Sequence, residues 1–190
     1  GGPLRVVFVG NVTRRKGLPT LLDALALLGD LDWRLNVIGS PGVEPRYAAR
    51  IERRVERAGL AERVTLAGQL PDDALAARLR AADVLAVPSS YEGFGIVYLE
   101  GMAFGLPAIA SARGGAAGIV THGVDGFLVE PGDAPSLAAQ LRALAGDRER
   151  LRAMSLAALR RYGAQPGWEA TAARIRAFLA GLVGHSARPS

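Results

Sequence analysis

Short apolar runs recur along the chain, each closed by glycine, proline or a small polar residue and followed by a stretch with helical spacing. Few folds accept this pattern. A strand buried on both faces reads as an unbroken apolar run, and parallel strands need a crossover, usually a helix, between them. Leu4 to Val9 is the first such run, ended by Gly10. Leu18, Leu21, Leu22, Leu25 and Leu28 then fall on one helical face. Further strands are expected at Arg34–Ile38, Val64–Ala67, Val84–Val87, Pro107–Ala110 and Gly126–Val129. The helices between them are expected near Pro45–Ala58, Pro71–Ala82 and Ile96–Phe104, and three more near Pro135–Ala145, Arg148–Arg161 and Trp168–Leu182. The expectation is one α/β domain over residues 1–185, a Rossmann-like, doubly wound parallel six-stranded sheet with helices on both faces. Residues 186–190 are expected to form a flexible tail. In such a sheet ligands bind at the carboxyl ends of the strands. The loops that matter are therefore Gly10–Gly17, Gly39–Gly42, Gly68–Leu70, Pro88–Gly95 and Ser111–Gly118.

Composition removes several function classes. With 49% hydrophobic and 22% charged residues the chain can bury a core and is no disordered tail. It has no cysteine, which excludes disulfides and cysteine-ligated zinc and makes a reducing, cytoplasmic setting the default. No apolar run approaches the roughly 18 residues of a membrane span. Gly1-Gly2-Pro3-Leu4 has no charged or apolar leader pattern, and reads as a cut inside a longer chain. The net charge of +5 is scattered and interleaved with acids, as in Arg50-Ile51-Glu52-Arg53-Arg54-Val55-Glu56-Arg57. That is a solvated helix face rather than a nucleic-acid stripe.

Two segments carry chemistry. Gly10-Asn11-Val12-Thr13-Arg14-Arg15-Lys16-Gly17 joins the first strand to the first helix and sets basic side chains beside free helix amides, a combination that favours an anion such as phosphate. Lys16 is the only lysine among 23 basic residues, and it stands in this loop. The segment is not a Walker A loop, and Arg14 and Arg15 read equally well as solvated surface. In the second, Tyr91-Glu92-Gly93-Phe94-Gly95-Ile96-Val97-Tyr98-Leu99-Glu100, a helix starting near Ile96 points its first amides at the strand ends. Gly93 and Gly95 let a ligand approach the backbone. Glu100 lies about 6–7 Å along that helix axis, a reach that suits a ribose whose phosphate caps the helix. Glu92 is placed to accept from a sugar, and both acids also read as ordinary surface carboxylates.

Glu92 and Glu100, with seven residues between them, resemble the E-x7-E motif of the retaining family 4 glycosyltransferases, enzymes of the two-domain GT-B fold that use sugar nucleotides. Phe8-Val9-Gly10 with Lys16-Gly17-Leu18, Val37-Ile38-Gly39-Ser40 and Leu66-Ala67-Gly68 resemble that family's first three strand ends. Pro88-Ser89, Glu100-Gly101-Met102-Ala103-Phe104-Gly105-Leu106-Pro107 and Gly123-Val124-Asp125-Gly126-Phe127-Leu128-Val129 continue the match over about residues 4–145. The resemblance implies that Lys16 binds the donor diphosphate, Glu92 contacts the transferred sugar and Glu100 binds the ribose. It implies that the amides of Gly95, Ile96 and Val97 hold the diphosphate, and that Gly39 and Gly68 flank the base. Phe94 and Gly93 belong to the same loop. Asn11 replaces an arginine often found there, with Arg14 or Arg15 as the substitute. Gly118 replaces a glutamate and Gly101 an alanine.

The resemblance covers one GT-B half. The acceptor-binding N-terminal domain is expected to be missing, and the fragment to bind donor without turnover. The alternatives are a sugar-nucleotide epimerase of the same architecture, a binding-only module and a signalling domain. The expected partner is the nucleotide-sugar donor, with no nucleic acid and with membrane contact only through the absent half. No metal or other cofactor is expected. Asp30-Leu31-Asp32 matches a metal-binding D-x-D but falls at the amino end of the strands and reads as a turn. His122 and His185 have no partner for a triad, and Trp33 and Trp168 read as packing residues.

Overall fold

A computed structural model describes residues 2–185; the tail expected at 186–190 lies outside the described residues, as do the side chains of Trp168 and of residues 181–185. Six strands form one sheet: β1 (Leu4–Val9), β2 (Trp33–Ile38), β3 (Val64–Gly68), β4 (Val84–Val87), β5 (Ala108–Ser111) and β6 (Gly126–Val129). All neighbours are parallel, in the order β3-β2-β1-β4-β5-β6. Around the sheet lie α1 (Leu18–Ala26), α2 (Pro45–Arg57), α3 (Asp72–Arg80), α4 (Ile96–Ala103), α5 (Ala134–Gly146) and α6 (Arg148–Gly163), followed by α7 (Trp168–His185). This is the expected Rossmann-like architecture. No helix among the described residues is long and apolar enough to cross a membrane.

The apolar runs become central strands for the reason given by their composition. Every residue of β4 and β5 is buried, as are Val6, Val7 and Phe8 of β1. Helix faces close over them. Leu21, Leu25, Leu137, Leu141 and Leu144 are wholly buried, and α1 packs on α5 as α4 packs on α6. The stripe on α5 therefore faces the core, as its spacing implies. Asp133 caps that helix by accepting from the Ser136 amide at 2.9 Å.

Element boundaries differ from the sequence reading by one to three residues, and the starts of two strands show why. The second strand begins one residue early, at Trp33, whose ring is buried under the Arg63 guanidinium. The fifth begins at Ala108 because Pro107 has no amide to donate, and Leu85 instead donates to the Pro107 carbonyl. Two 3-10 turns, Arg14–Lys16 and Gly115–Gly118, were not legible, because neither has a helical apolar period.

Candidate functional site

The strand order reverses between β1 and β4, and a crevice opens at the carboxyl ends of such a pair. The loops leaving these two strands are Gly10–Gly17 and Pro88–Gly95. They touch through their backbones. Gly17 has φ of 72°, and a Cβ there would stand 1.9 Å from the Pro88 carbonyl oxygen, so only glycine fits. The Ser90 amide donates to the Arg15 carbonyl at 2.7 Å. The 3-10 turn at Arg14–Lys16 ends on Gly17 and turns Lys16 inward. Its side chain runs over Gly10, with Cε 3.2 Å from where a Cβ on Gly10 would stand.

Lys16 Nζ donates to Glu92 Oε2 at 2.7 Å. Ser89 Oγ donates to the same oxygen at 3.1 Å, and Arg15 Nη1 lies 3.5 Å from it. Arg15 is held in place by donating to the Tyr91 carbonyl at 2.7 Å. Glu92 is buried. Burial alone would raise its carboxyl, but the Lys16 hydrogen bond and charge, with Ser89 and Arg15, hold it below the ordinary carboxylate range. The loop after β5 is tied in as well: the Gly115 amide donates to the Glu92 carbonyl at 2.7 Å.

Helix α4 starts at Ile96 behind Gly95. The amides of Gly95, Ile96 and Val97 donate to no described acceptor, as expected of a first turn. Tyr98 supports them from below. Its ring is buried, its hydroxyl donates to the Val87 carbonyl at 2.8 Å, and burial followed by the Glu92 charge pushes its ionisation far up. Tyr91, Phe94 and Ile96 form an exposed apolar rim beside Gly93. Glu100 lies further along α4, exposed at its surface, where partial desolvation raises its carboxyl and the Lys16 charge partly opposes that.

Most of the sequence candidates thus share one rim. Lys16, Arg15, Glu92 and the first amides of α4 converge. Arg14 does not: it pairs with Glu44 at 3.4 Å and lies over the Tyr47 ring. Asn11 is exposed, and its carbonyl accepts from the Thr13 amide. Gly39 packs against Gly10, where a Cβ would stand 2.0 Å from the Gly10 carbonyl oxygen, its amide donates to the Gly68 carbonyl at 2.8 Å, and both line a small apolar pocket with Val12, Val37 and Leu66. Asp30 is held by Arg142 and Asp32 by Arg34 at the opposite edge of the sheet. No group of three or more metal-ligating side chains gathers among the described residues. His122 Nδ1 accepts from the Leu128 amide and packs edge-on against Phe127. Sequence reasoning gave no role to Ser89 or Tyr98. The signal for Ser89 was its position three residues before Glu92 in the loop that follows a buried strand.

Basic side chains, free amides and a carboxylate at one rim can grip an anion and a hydroxylated group side by side. Comparison with known proteins agrees with the architecture. A family model described as Glycosyl transferases group 1 matches residues 1–161. A D-inositol 3-phosphate glycosyltransferase of Thermobispora bispora is 38% identical over 180 residues, which is 90% of this chain and 41% of that protein. Sucrose-phosphate synthase from Thermosynechococcus elongatus superposes with a TM-score of 0.85 at 36% identity, covering 97% of this chain and 46% of the other. Anabaena HepE, solved with UDP and glucose, gives 0.84 at 27% identity, covering 94% and 48%. The chain spans about two fifths of the length of the curated relatives it matches. The chain belongs to the glycosyl transferases group 1 family, and its fold is one Rossmann-like half of the GT-B architecture.

Proposed function

We propose that this domain binds the nucleotide diphosphate sugar donor of a glycosyltransferase, and that the full-length enzyme transfers the sugar to an acceptor with retention at the anomeric carbon. The observation that carries the reading is the convergence of Lys16, Arg15 and the unpaired amides of Gly95–Val97 on one rim, at the topological switch of the sheet. The diphosphate would sit between the ammonium and those amides. Arg15, rather than Arg14, takes the place of the arginine missing at Asn11. Glu92 orients the sugar, Glu100 accepts from the ribose hydroxyls, and the apolar pocket beside Gly39 and Gly68 receives the base. The UDP and glucose bound to HepE support the donor class.

The chemistry assigned to these residues is electrostatic. Donors fixed before the reaction stabilise the charge that develops on the leaving diphosphate, without reorganising as it forms. No nucleophile is assigned, and turnover needs no metal. The acceptor is held by the part of the enzyme that precedes this domain. The cysteine-free composition suits a reducing, cytoplasmic setting. Calorimetry with UDP, GDP and ADP tests the site directly. Lys16→Ala is expected to weaken binding of the preferred diphosphate about tenfold or more, the loss of one charge-assisted contact. Unchanged affinity would remove Lys16 from the site, and absence of binding to all three would remove the donor reading.

A further inference from the structure

The two oxygens of Glu92 are used unevenly. Lys16 Nζ, Ser89 Oγ and Arg15 Nη1 all approach Oε2, at 2.7, 3.1 and 3.5 Å. Oε1 accepts from no described residue. The wholly buried polar side-chain atoms without a partner are Trp33 Nε1 and Tyr47 Oη among the described residues, so Oε1 keeps solvent access. Of the three groups on Oε2, Ser89 alone is wholly buried, and it lies on the same loop as Glu92. Lys16 and Arg15 come from the loop after β1 and are the groups assigned to phosphate.

We propose that Ser89 is a positioning residue: its hydroxyl anchors Oε2 of Glu92, so that Oε1 stays open to the cleft as an acceptor for a hydroxyl of the transferred sugar. The inference rests on the donor-site reading and adds a division of labour within it. An ionised carboxylate only accepts hydrogen bonds. It selects a hydroxyl and repels a phosphate, so it separates the sugar from the diphosphate along the rim. An ammonium has three N–H donors, and one spent on Glu92 leaves others for phosphate oxygens. When phosphate draws on Lys16, the fixed hydroxyl of Ser89 keeps the carboxylate from swinging after it. The charged and titratable groups facing Glu92 are Lys16 and Arg15 from the loop after β1 and Tyr98 from α4. The lowered carboxyl of Glu92 accords with that surrounding.

The test uses this chain with Ser89→Ala and Ser89→Cys, the second close in size but a weak donor. Calorimetry compares UDP-glucose with UDP, and carbon-13 NMR follows the Glu92 carboxyl through an acid titration. Ser89→Ala is expected to lower the ratio of UDP-glucose to UDP affinity about tenfold, to leave UDP itself within about twofold, and to raise the Glu92 midpoint. Ser89→Cys is expected to fall between Ala and wild type in both readouts. An unchanged affinity ratio, or an unchanged Glu92 midpoint, overturns the role of Ser89. If wild type binds neither UDP-glucose nor UDP, the sugar contact assigned to Oε1 fails with the donor reading. The titration still decides whether Ser89 anchors the carboxylate.

Discussion

Lys16 and Glu92 form a nearly buried ion pair, and a double-mutant cycle measures what it contributes. At the observed 2.7 Å, the attraction is about 6 kcal/mol at an effective dielectric of 20. Desolvation opposes it, since the side chains are only 12% and 11% exposed. Breaking a buried pair from one side costs about 3–5 kcal/mol. Here the cost should be lower, because after Lys16→Met the carboxylate keeps Ser89 and Arg15, and after Glu92→Gln an amide oxygen still faces Lys16. Each single change is therefore expected to lower unfolding free energy by about 2–3 kcal/mol, and the double change to cost little more than one, a coupling of about 2 kcal/mol. Urea unfolding at neutral pH, with equal slopes in all four proteins, gives the cycle. Additivity within about 0.5 kcal/mol would refute the argument. The acid limb provides an independent check. Glu92 has a folded-state value below its ordinary 4.5, so its contribution is complete above that value and is lost as pH falls through the lower folded value. Lys16→Met should flatten that limb.

Two further outcomes follow from single residues. Partial desolvation raises the carboxyl of the exposed Glu100, so its ionisation opposes folding weakly and stability declines slightly as pH rises from the ordinary 4.5 through the higher folded value. Glu100→Gln should remove that decline in pH-dependent unfolding while weakening UDP about tenfold, one charge-assisted contact, in calorimetry; equal affinity would detach Glu100 from the ribose. Gly17→Ala introduces a positive-φ alanine against the Pro88 carbonyl and is expected to cost at least about 2 kcal/mol. A thermal midpoint within about 2 °C of wild type would mean that the loops can separate without loss.

The sheet was legible because its central strands are apolar at nearly every position and its helices keep their period. The rim was legible in part. Lys16 stood out as a lone lysine in an arginine-rich chain, and the pair Glu92 and Glu100 by its spacing. What periodicity cannot convey is the direction of a side chain leaving an irregular turn. Arg14 and Arg15 are adjacent and chemically identical, yet the 3-10 turn sends Arg14 to Glu44 and Arg15 to Tyr91 and Glu92. Ser89 was hidden for a similar reason. A serine before two loop residues has no period, and its importance comes from an oxygen three residues on.

The Lys16–Glu92 contact joins residues 76 apart in sequence. The groups proposed to hold the donor therefore come together only after β1 has found β4, with β2 and β3 already laid on the other side or still to come. A half-assembled sheet offers a nucleotide nothing to hold. Whatever seats itself there acts as a clasp on the finished molecule, adding about 2.7 kcal/mol at a hundredfold excess over its dissociation constant. On the donor-site proposal, protection from heat or protease by a nucleotide would thus report on the pairing of β1 with β4, and not on one loop.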